Sequence, residues 1–325
     1  MLVFITNLNI LGVHSVSNGS CQFNNRRKPE KDHRNVLLGR IYWGCRQRAI
    51  FLSVLNSLLS ITAFLGNALI LVALHKESSL HPPSKLLYRN LAIADLCVGI
   101  IAQPVDVANW MSAVNEGWTI CYYTELTAFI TSHILCSVSL LISTAISVDR
   151  LLALLLMLKY KQVVTLRRTY LTVIVVWVFC IAATSSYFLN PVMVPWFIYT
   201  GISLSLVTSI LSYTKIFCTL HRNQNQVGDL GNISQEIPLN ISRYRNAVST
   251  ALWVQVTLVV CYLPYGITVA LTPPRDLPSS IYLTRQFTAT LVFFKSTLNP
   301  LLYCWKIREV RQTVKDIIRK HCQTC

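Results

Sequence analysis

The chain has 325 residues, 53% of them hydrophobic and 13% charged, about half the charged fraction of an ordinary soluble domain. That composition excludes a purely water-exposed globular protein. The formal net charge of +16 would suit a nucleic-acid partner, but the basic residues cluster in connections between apolar stretches, and no nucleic acid is expected.

The first 49 residues read as an extracellular tail. The opening MLVFITNLNILGV is apolar but lacks a positively charged start and is broken by two Asn, so it makes a poor signal peptide, and the first apolar stretch is expected to direct insertion. Asn18-Gly19-Ser20 is a glycosylation sequon. Seven stretches follow, at approximately 50–74, 86–111, 126–156, 170–189, 196–220, 247–271 and 281–304. Each matches the roughly 20 apolar residues that cross about 30 Å of hydrocarbon. Short connections such as HKESSLHPPSK and KYKQVVTLRR separate them and leave no window for a separate soluble domain.

Sixteen Lys and Arg lie in the first, third and fifth connections and the C-terminal tail, against Arg275 and Arg285 in the opposing loops. This asymmetry places the C-terminus in the cytosol and the N-terminus outside, as in a multi-pass plasma-membrane protein. Eight basic residues in the N-terminal tail pull the other way. After Cys304, WKIREVRQTVKDIIRK spaces Ile307, Val310, Val314 and Ile317 three or four apart among basic residues, the pattern of a helix lying on anionic membrane lipids. Cys322 and Cys325 are palmitoylation candidates. Their C-x-x-C spacing has no second ligand pair, and neither a metal nor a cofactor is expected. The expected organisation is a tail over 1–49, a seven-transmembrane domain over 50–304 and a cytoplasmic amphipathic helix and tail over 305–325.

An ionisable side chain at mid-membrane costs about 2.5–3.5 kcal/mol, so each one is a functional candidate. Asp95, Asp149, Arg150 and Lys295 qualify, with Asp106 and Glu125 near the outer ends and Asn67 as deep as Asp95. Pro264 and Pro300 remove backbone hydrogen bonds and should kink their helices. The fold class expected is an all-α membrane protein, a seven-transmembrane helix bundle with a short amphipathic eighth helix.

Motifs fall in order along these stretches: GNALILVAL with Asn67, NLAIADL with Asp95, SVDRLLAL with Asp149 and Arg150, Trp177, SYTKIF with Tyr213, CYLP with Pro264, and NPLLY with Asn299, Pro300 and Tyr303. On these the chain resembles a rhodopsin-like (class A) G protein-coupled receptor over about 255 residues. The resemblance implies a receptor that binds an extracellular ligand and activates heterotrimeric G proteins. In it Arg150, beside Asp149, engages the G protein, and Tyr213 and Tyr303 stabilise the open arrangement. It implies a ligand pocket of Ser132, His133, Tyr262, Tyr265, Ala289 and Phe293, although a packed core role competes for His133. Ser132 replaces the Asp that pairs with the amine in monoamine receptors, so a cationic amine is not the expected ligand. Similar receptors place a sodium ion among residues matching Asp95, Ser139, Asn299 and Lys295. Here the last position carries its own cation. The Lys295 ammonium is expected to pair with Asp95, with Asn67, Ser139 and Asn299 completing the hydrogen bonds; the alternative is a lysine lining a water-filled cavity with no fixed partner.

The sequence also departs from the pattern. The position of the usual cysteine atop the third helix holds Glu125, and the second extracellular loop has no Cys, so Cys121 could bond Cys45 or Cys21 or stay free. Ser205 stands where the fifth helix usually has proline, Tyr262 where the sixth has Trp, and Leu151 follows Arg150. Arg243 and Arg245 occupy the inner end of the sixth helix where some relatives carry an acid, so raised basal signalling is expected. The short second loop gives a weak likeness to the melanocortin, adenosine and lipid receptor branch. Two rivals are an opsin-like photoreceptor and an ion or proton transporter using Asp95 and Lys295. The retinal lysine of opsins matches Phe293, about 200° around the helix from Lys295. Enzyme motifs are absent.

Overall fold

In hydrocarbon every backbone N–H and C=O must find its partner within the chain, and a helix satisfies them locally. A computed structural model describes residues 33–76, 80–115, 118–156, 159–190, 193–229, 256–271 and 279–306, besides isolated positions 253, 311, 312, 314 and 319. Its elements are helices throughout. The first is His33–Lys76. The second is Pro82–Cys97 joined to Gln103–Val114 by a π-helical turn, Val98–Ala102. The third is Trp118–Leu156, the fourth Leu166–Ser185, the fifth Met193–Asp229, the sixth Val256–Leu271 and the seventh Ser279–Lys306. Arg46–Lys76, Pro82–Ser112, Thr119–Ala153 and Leu166–Phe188 are long and apolar enough to cross a membrane, while Trp196–Ser212 and Val256–Leu271 are shorter apolar helices.

The first helix begins well inside the segment expected to be a tail. Ala49 and Leu52 are buried on Trp110 and Val114 of the second helix, so the helix keeps a packing partner beyond the stretch that composition marked out. Asn18, Arg243, Arg245, Ile307, Val310, Ile317, Cys322 and Cys325 lie outside the described residues, as does the Tyr213 side chain. Val314 is buried against the large inner core cluster that also holds Leu91, Ile142 and Tyr303.

The bundle is apolar outside and polar within. Phe51, Leu58, Leu171, Val178 and Leu204 are exposed, whereas Asn67, Asp95, Ser139, Lys295 and Asn299 are at most 1% exposed. Lipid tails are as apolar as Leu, so helices gain little by hiding Leu from them. Close approach of small residues and interhelical hydrogen bonds hold the bundle instead.

Both devices meet where the first and seventh helices touch. Pro300 lies inside the seventh helix and has no N–H for the carbonyl of Ser296, four residues earlier. Asn67 Nδ2 donates to that carbonyl at 3.0 Å. A Cβ on Gly66 would sit 2.9 Å from Pro300 Cγ, so only glycine lets the helices come this close. The Gly-Asn pair in the first helix and the Asn-Pro pair in the seventh are two halves of one joint. A similar contact joins the first and second helices: Ser60 Oγ donates to Gly99 O at 2.6 Å, and a Cβ on Gly99 would lie 3.0 Å from the Ser60 carbonyl. Gly99 sits in the π-helical turn, just ahead of Pro104. That widened turn accommodates the ring that would otherwise clash with the preceding carbonyls. Pro104 thus joins Pro264 and Pro300, the two prolines expected from the sequence to kink their helices.

Candidate functional site

Asp95 stands in the middle of the bundle and accepts three hydrogen bonds: Ser139 Oγ at 2.7 Å, Ser296 Oγ at 2.8 Å and Asn299 Nδ2 at 2.5 Å. Lys295 Nζ donates to the Ser139 hydroxyl, to Ser139 O at 3.3 Å and to Ser143 Oγ at 3.0 Å. The expected direct Lys295–Asp95 pair does not form within 4 Å; Ser139 stands between the charges, accepting from the ammonium and donating to the carboxylate. The reason is reach. With both side chains fully buried, Lys295 finds two hydroxyls and a carbonyl on the third helix, and the Asp95 oxygens are filled by serine and asparagine donors. The alternative of a lysine without fixed partners is likewise not what is seen. Asn67 serves Ser296 O rather than Asp95. Of the five residues assigned to this network, Ser139 and Asn299 bond Asp95 directly, Lys295 reaches it through the Ser139 hydroxyl, and Asn67 braces the helix that carries Lys295 and Asn299.

At the inner end of the third helix Asp149 Oδ2 pairs with Arg150 Nη2 at 2.5 Å. The same carboxylate accepts from Ser84 Oγ at 2.9 Å and from Tyr160 OH at 2.7 Å. Ser84 lies in the first turn of the second helix and Tyr160 in the short helix Tyr160–Val163, so three elements hold the aspartate. Burial pushes the Tyr160 phenol up to about 12, which keeps it protonated and donating across the physiological range. His81 packs on the Tyr160 ring at 5.1 Å, and burial lowers its pKa, the nearby Asp149 opposing the change. Arg150 remains 18% exposed against 5% for Asp149. Deeper in the bundle Tyr303 lies edge-on to Tyr88 at 5.3 Å, its hydroxyl without a hydrogen-bond partner among the described residues.

Beside the N-terminal half of the third helix a cavity of about 100 Å³ opens among the third to seventh helices. All six expected pocket residues, Ser132, His133, Tyr262, Tyr265, Ala289 and Phe293, line it. Tyr262 OH donates to Cys136 O at 2.8 Å, and Tyr265 OH lies 3.4 Å from His133 Nε2. Lys295 is not part of the lining. Cys121, buried near the N-terminal end of the third helix, is disulfide-bonded, which excludes the free-thiol alternative; Cys21 and the Cys45 side chain lie outside the described residues.

The profile described as 7 transmembrane receptor (rhodopsin family) matches residues 66–195 and 186–303. The chain belongs to that family. It is 22% identical over 313 residues to Probable G-protein coupled receptor 45 of Homo sapiens, covering 83% of this chain and 82% of the relative. It is 24% identical over 292 residues to Melanocortin receptor 5 of Pan troglodytes (84% and 86% covered) and 23% over 300 residues to Adenosine receptor A3 of Ovis aries (82% and 89% covered). This receptor is therefore a multi-pass membrane protein built as a seven-helix bundle, not an enzyme. It binds an extracellular ligand and signals through heterotrimeric G proteins.

Sequence reasoning missed four residues of the receptor's polar sites. Ser143 is one turn after Ser139 and so shares its face of the third helix, a signal that was available. Ser296 neighbours Lys295 but points elsewhere, to Asp95. Ser84 and Tyr160 come from separate elements, and nothing local marks them as partners of Asp149.

Proposed function

We propose that this receptor lies in the plasma membrane with its N-terminus outside, takes an uncharged ligand into the outer cavity, and couples to the G protein through Arg150 when Asp149 releases it. The observation that carries this is the arrangement at the inner end: Arg150 is held by the adjacent Asp149, and that carboxylate is itself gripped by Ser84 and Tyr160. A pair near the membrane edge with one partly exposed member can exchange an internal contact for an external one. A ligand that prefers the released arrangement then shifts the population by its differential affinity. Tyr303, whose hydroxyl has no partner in the present arrangement, can gain one when the seventh helix moves; Tyr213 is proposed to act with it. The cavity lining holds no Asp, Glu, Lys or Arg, which favours an uncharged ligand over a cationic amine.

Asp95, Ser139, Asn299 and Lys295 are proposed to form a core whose cation is supplied by the chain itself. The Lys295 ammonium, joined to Asp95 through one hydroxyl, takes the part that a sodium ion plays in similar receptors. The test is a cell line carrying several G protein reporters. Ligand-free activation above an empty-vector control is expected, unchanged when sodium is replaced by an organic cation. A correctly surfaced receptor that moves none of the reporters, with or without a ligand library, would refute the coupling proposal, and sodium-dependent activation would refute the tethered cation. Glycosylation at Asn18, palmitoylation at Cys322 and Cys325, and contact of the basic tail with membrane lipids complete the proposal.

A further inference from the structure

We propose that the cavity is entered from the bilayer, through a gap between the fourth and fifth helices bordered by Phe179, Phe197 and Gly201, and that its occupant is an uncharged molecule that partitions into the membrane. This rests on the ligand-binding reading above and names the ligand's class and its route.

The lining itself reaches the outside of the bundle. Phe179 and Phe197 line the cavity, yet they are 50% and 41% exposed, on helices whose other exposed residues, Leu171, Val178 and Leu204 among them, are apolar. In a membrane that exposure is to acyl chains. The two rings meet edge to face at 6.4 Å, one from each helix, and so border the proposed opening from both sides. Beside them Gly201 also lines the cavity, and a Cβ placed on it would have no atom within 4 Å. Unlike Gly66 and Gly99, this glycine is not required by a close helix approach; it leaves open space.

Next to the cavity wall, a chain of aromatic rings packs tilted or edge-on along the N-terminal part of the third helix and the end of the fourth. Phe129 packs on His133 at 4.1 Å and on Tyr187 at 4.7 Å, and Tyr187 meets Phe188 at 5.9 Å. His133, one layer below, belongs to the cavity wall. The polar groups of the wall are mostly engaged with one another. His133 Nδ1 lies 2.7 Å from Phe129 O. A carbonyl only accepts, so Nδ1 donates to it, and Nε2 faces the Tyr265 hydroxyl. The wall holds no Asp, Glu, Lys or Arg, so it offers no carboxylate, ammonium or guanidinium to an ionic ligand. At about 100 Å³ the cavity is also below the range of roughly 300–1,000 Å³ usual for small-molecule sites. A ligand of ordinary size must extend past the enclosed volume, and the aromatic gap is the apolar direction open to it.

The experiment uses the full-length receptor in proteoliposomes with a diazirine-bearing long-chain alcohol dissolved in the bilayer, photoactivated and mapped by peptide mass spectrometry. Label is expected on residues facing the cavity interior, such as Leu140, Tyr262 and Val292, as well as on the lipid-facing surface at Leu171 and Leu211. Gly201→Trp, which fills the gap, is expected to reduce interior label severalfold while surface label stays unchanged. Leu204→Trp, on the outward surface of the same helix, is expected to leave both unchanged and controls for a bulky substitution in the fifth helix. Absence of interior label in the wild type, or interior label undiminished in Gly201→Trp, would overturn the proposal. Nucleotide exchange on added G protein, measured in the same proteoliposomes, keeps the two readings apart: loss of exchange bears on receptor function, and loss of interior label on the route alone.

Discussion

Among the described residues two acid–base pairs stand within the bundle, and they are built in opposite ways. At mid-membrane Asp95 and Lys295 never touch; a serine hydroxyl carries the interaction, and each charge is surrounded by fixed polar groups from neighbouring helices. At the inner end Asp149 and Arg150 touch directly, are sequence neighbours, and one of them keeps a partly exposed surface. A fully buried charge needs partners in every direction because no water can substitute. A charge at the interface can leave its partner for an outside one at small cost. The first design suits a permanent brace and the second suits a switch.

The largest effect expected is in the brace. Asp95→Asn removes the carboxylate linked to Lys295 through Ser139, and removing one member of a buried ion pair costs about 3–5 kcal/mol. Surface expression and the thermal midpoint of detergent-solubilised receptor should fall sharply. Combining it with Lys295→Gln removes the uncompensated charge and should recover much of the loss. Equal damage from the single and double variants would show that the two charges do not sense each other through Ser139.

Next is the joint that positions the brace. Gly66→Ala puts a methyl 2.9 Å from Pro300 Cγ, and a proline ring cannot swing aside as a long side chain can. Overpacking of this kind costs about 1–3 kcal/mol. The expected signature is a lower thermal midpoint with Asn67→Ala non-additive to it, because both changes act on the contact between the first and seventh helices. Additive losses would mean that the glycine and the asparagine act separately.

How much of this could be read from the chain differs between the two sites for the same physical reason. The seven apolar stretches and the buried ionisable residues Asp95 and Lys295 were legible because hydrocarbon length and cost act locally along the sequence, whereas the six cavity residues, Ser139 and Asn299 were named from the family resemblance. The Gly66–Pro300 approach and the Ser296 carbonyl that Asn67 serves were not, since they depend on how closely two helices pack. The direct Lys295–Asp95 pair expected from charge alone gave way to a bridged one because the serines of the third helix are nearer. Ser84 and Tyr160 were invisible as partners of Asp149: each looks like an ordinary loop-proximal polar residue until the fold brings three elements together. The helical extension before residue 50 escaped notice because its partner, Trp110, lies in another helix.

The switch should respond more gently, and upward. Tyr160→Phe deletes one hydrogen bond to the Asp149 carboxylate while leaving the ring against His81. A hydrogen bond to a charged group contributes about 1.5–3 kcal/mol, so the released population of Arg150 should rise roughly tenfold or more. Ligand-free nucleotide exchange is the measurement, normalised to receptor at the surface. Ser84→Ala should act in the same direction. A fall in basal exchange in both would mean that the clamp supports the signalling arrangement rather than restraining it.

The smallest effect is that of proton concentration on the same clamp. Burial depresses the His81 pKa below its ordinary 6.5, with Lys161 and Arg150 adding to the depression and Asp149 opposing it. Above 6.5 the imidazole is neutral whether or not the clamp is folded, so His81 gives no pH dependence there. As pH falls through 6.5 the unfolded form takes up a proton first and the folded form resists, so the packing of His81 on Tyr160 loses stability on acidification. Lowering the cytoplasmic-side pH from about 7.4 toward 5.5 should therefore loosen the clamp and raise basal exchange slightly. His81→Phe keeps an aromatic ring against Tyr160 and removes the titration, so it should flatten that part of the profile. Asp95 and Lys295 are both fully buried, and the double variant at these two positions is the control in the same experiment. A pH response that survived His81→Phe but vanished in the Asp95→Asn, Lys295→Gln double variant would place the proton sensor in the core and reverse the roles assigned to the two pairs.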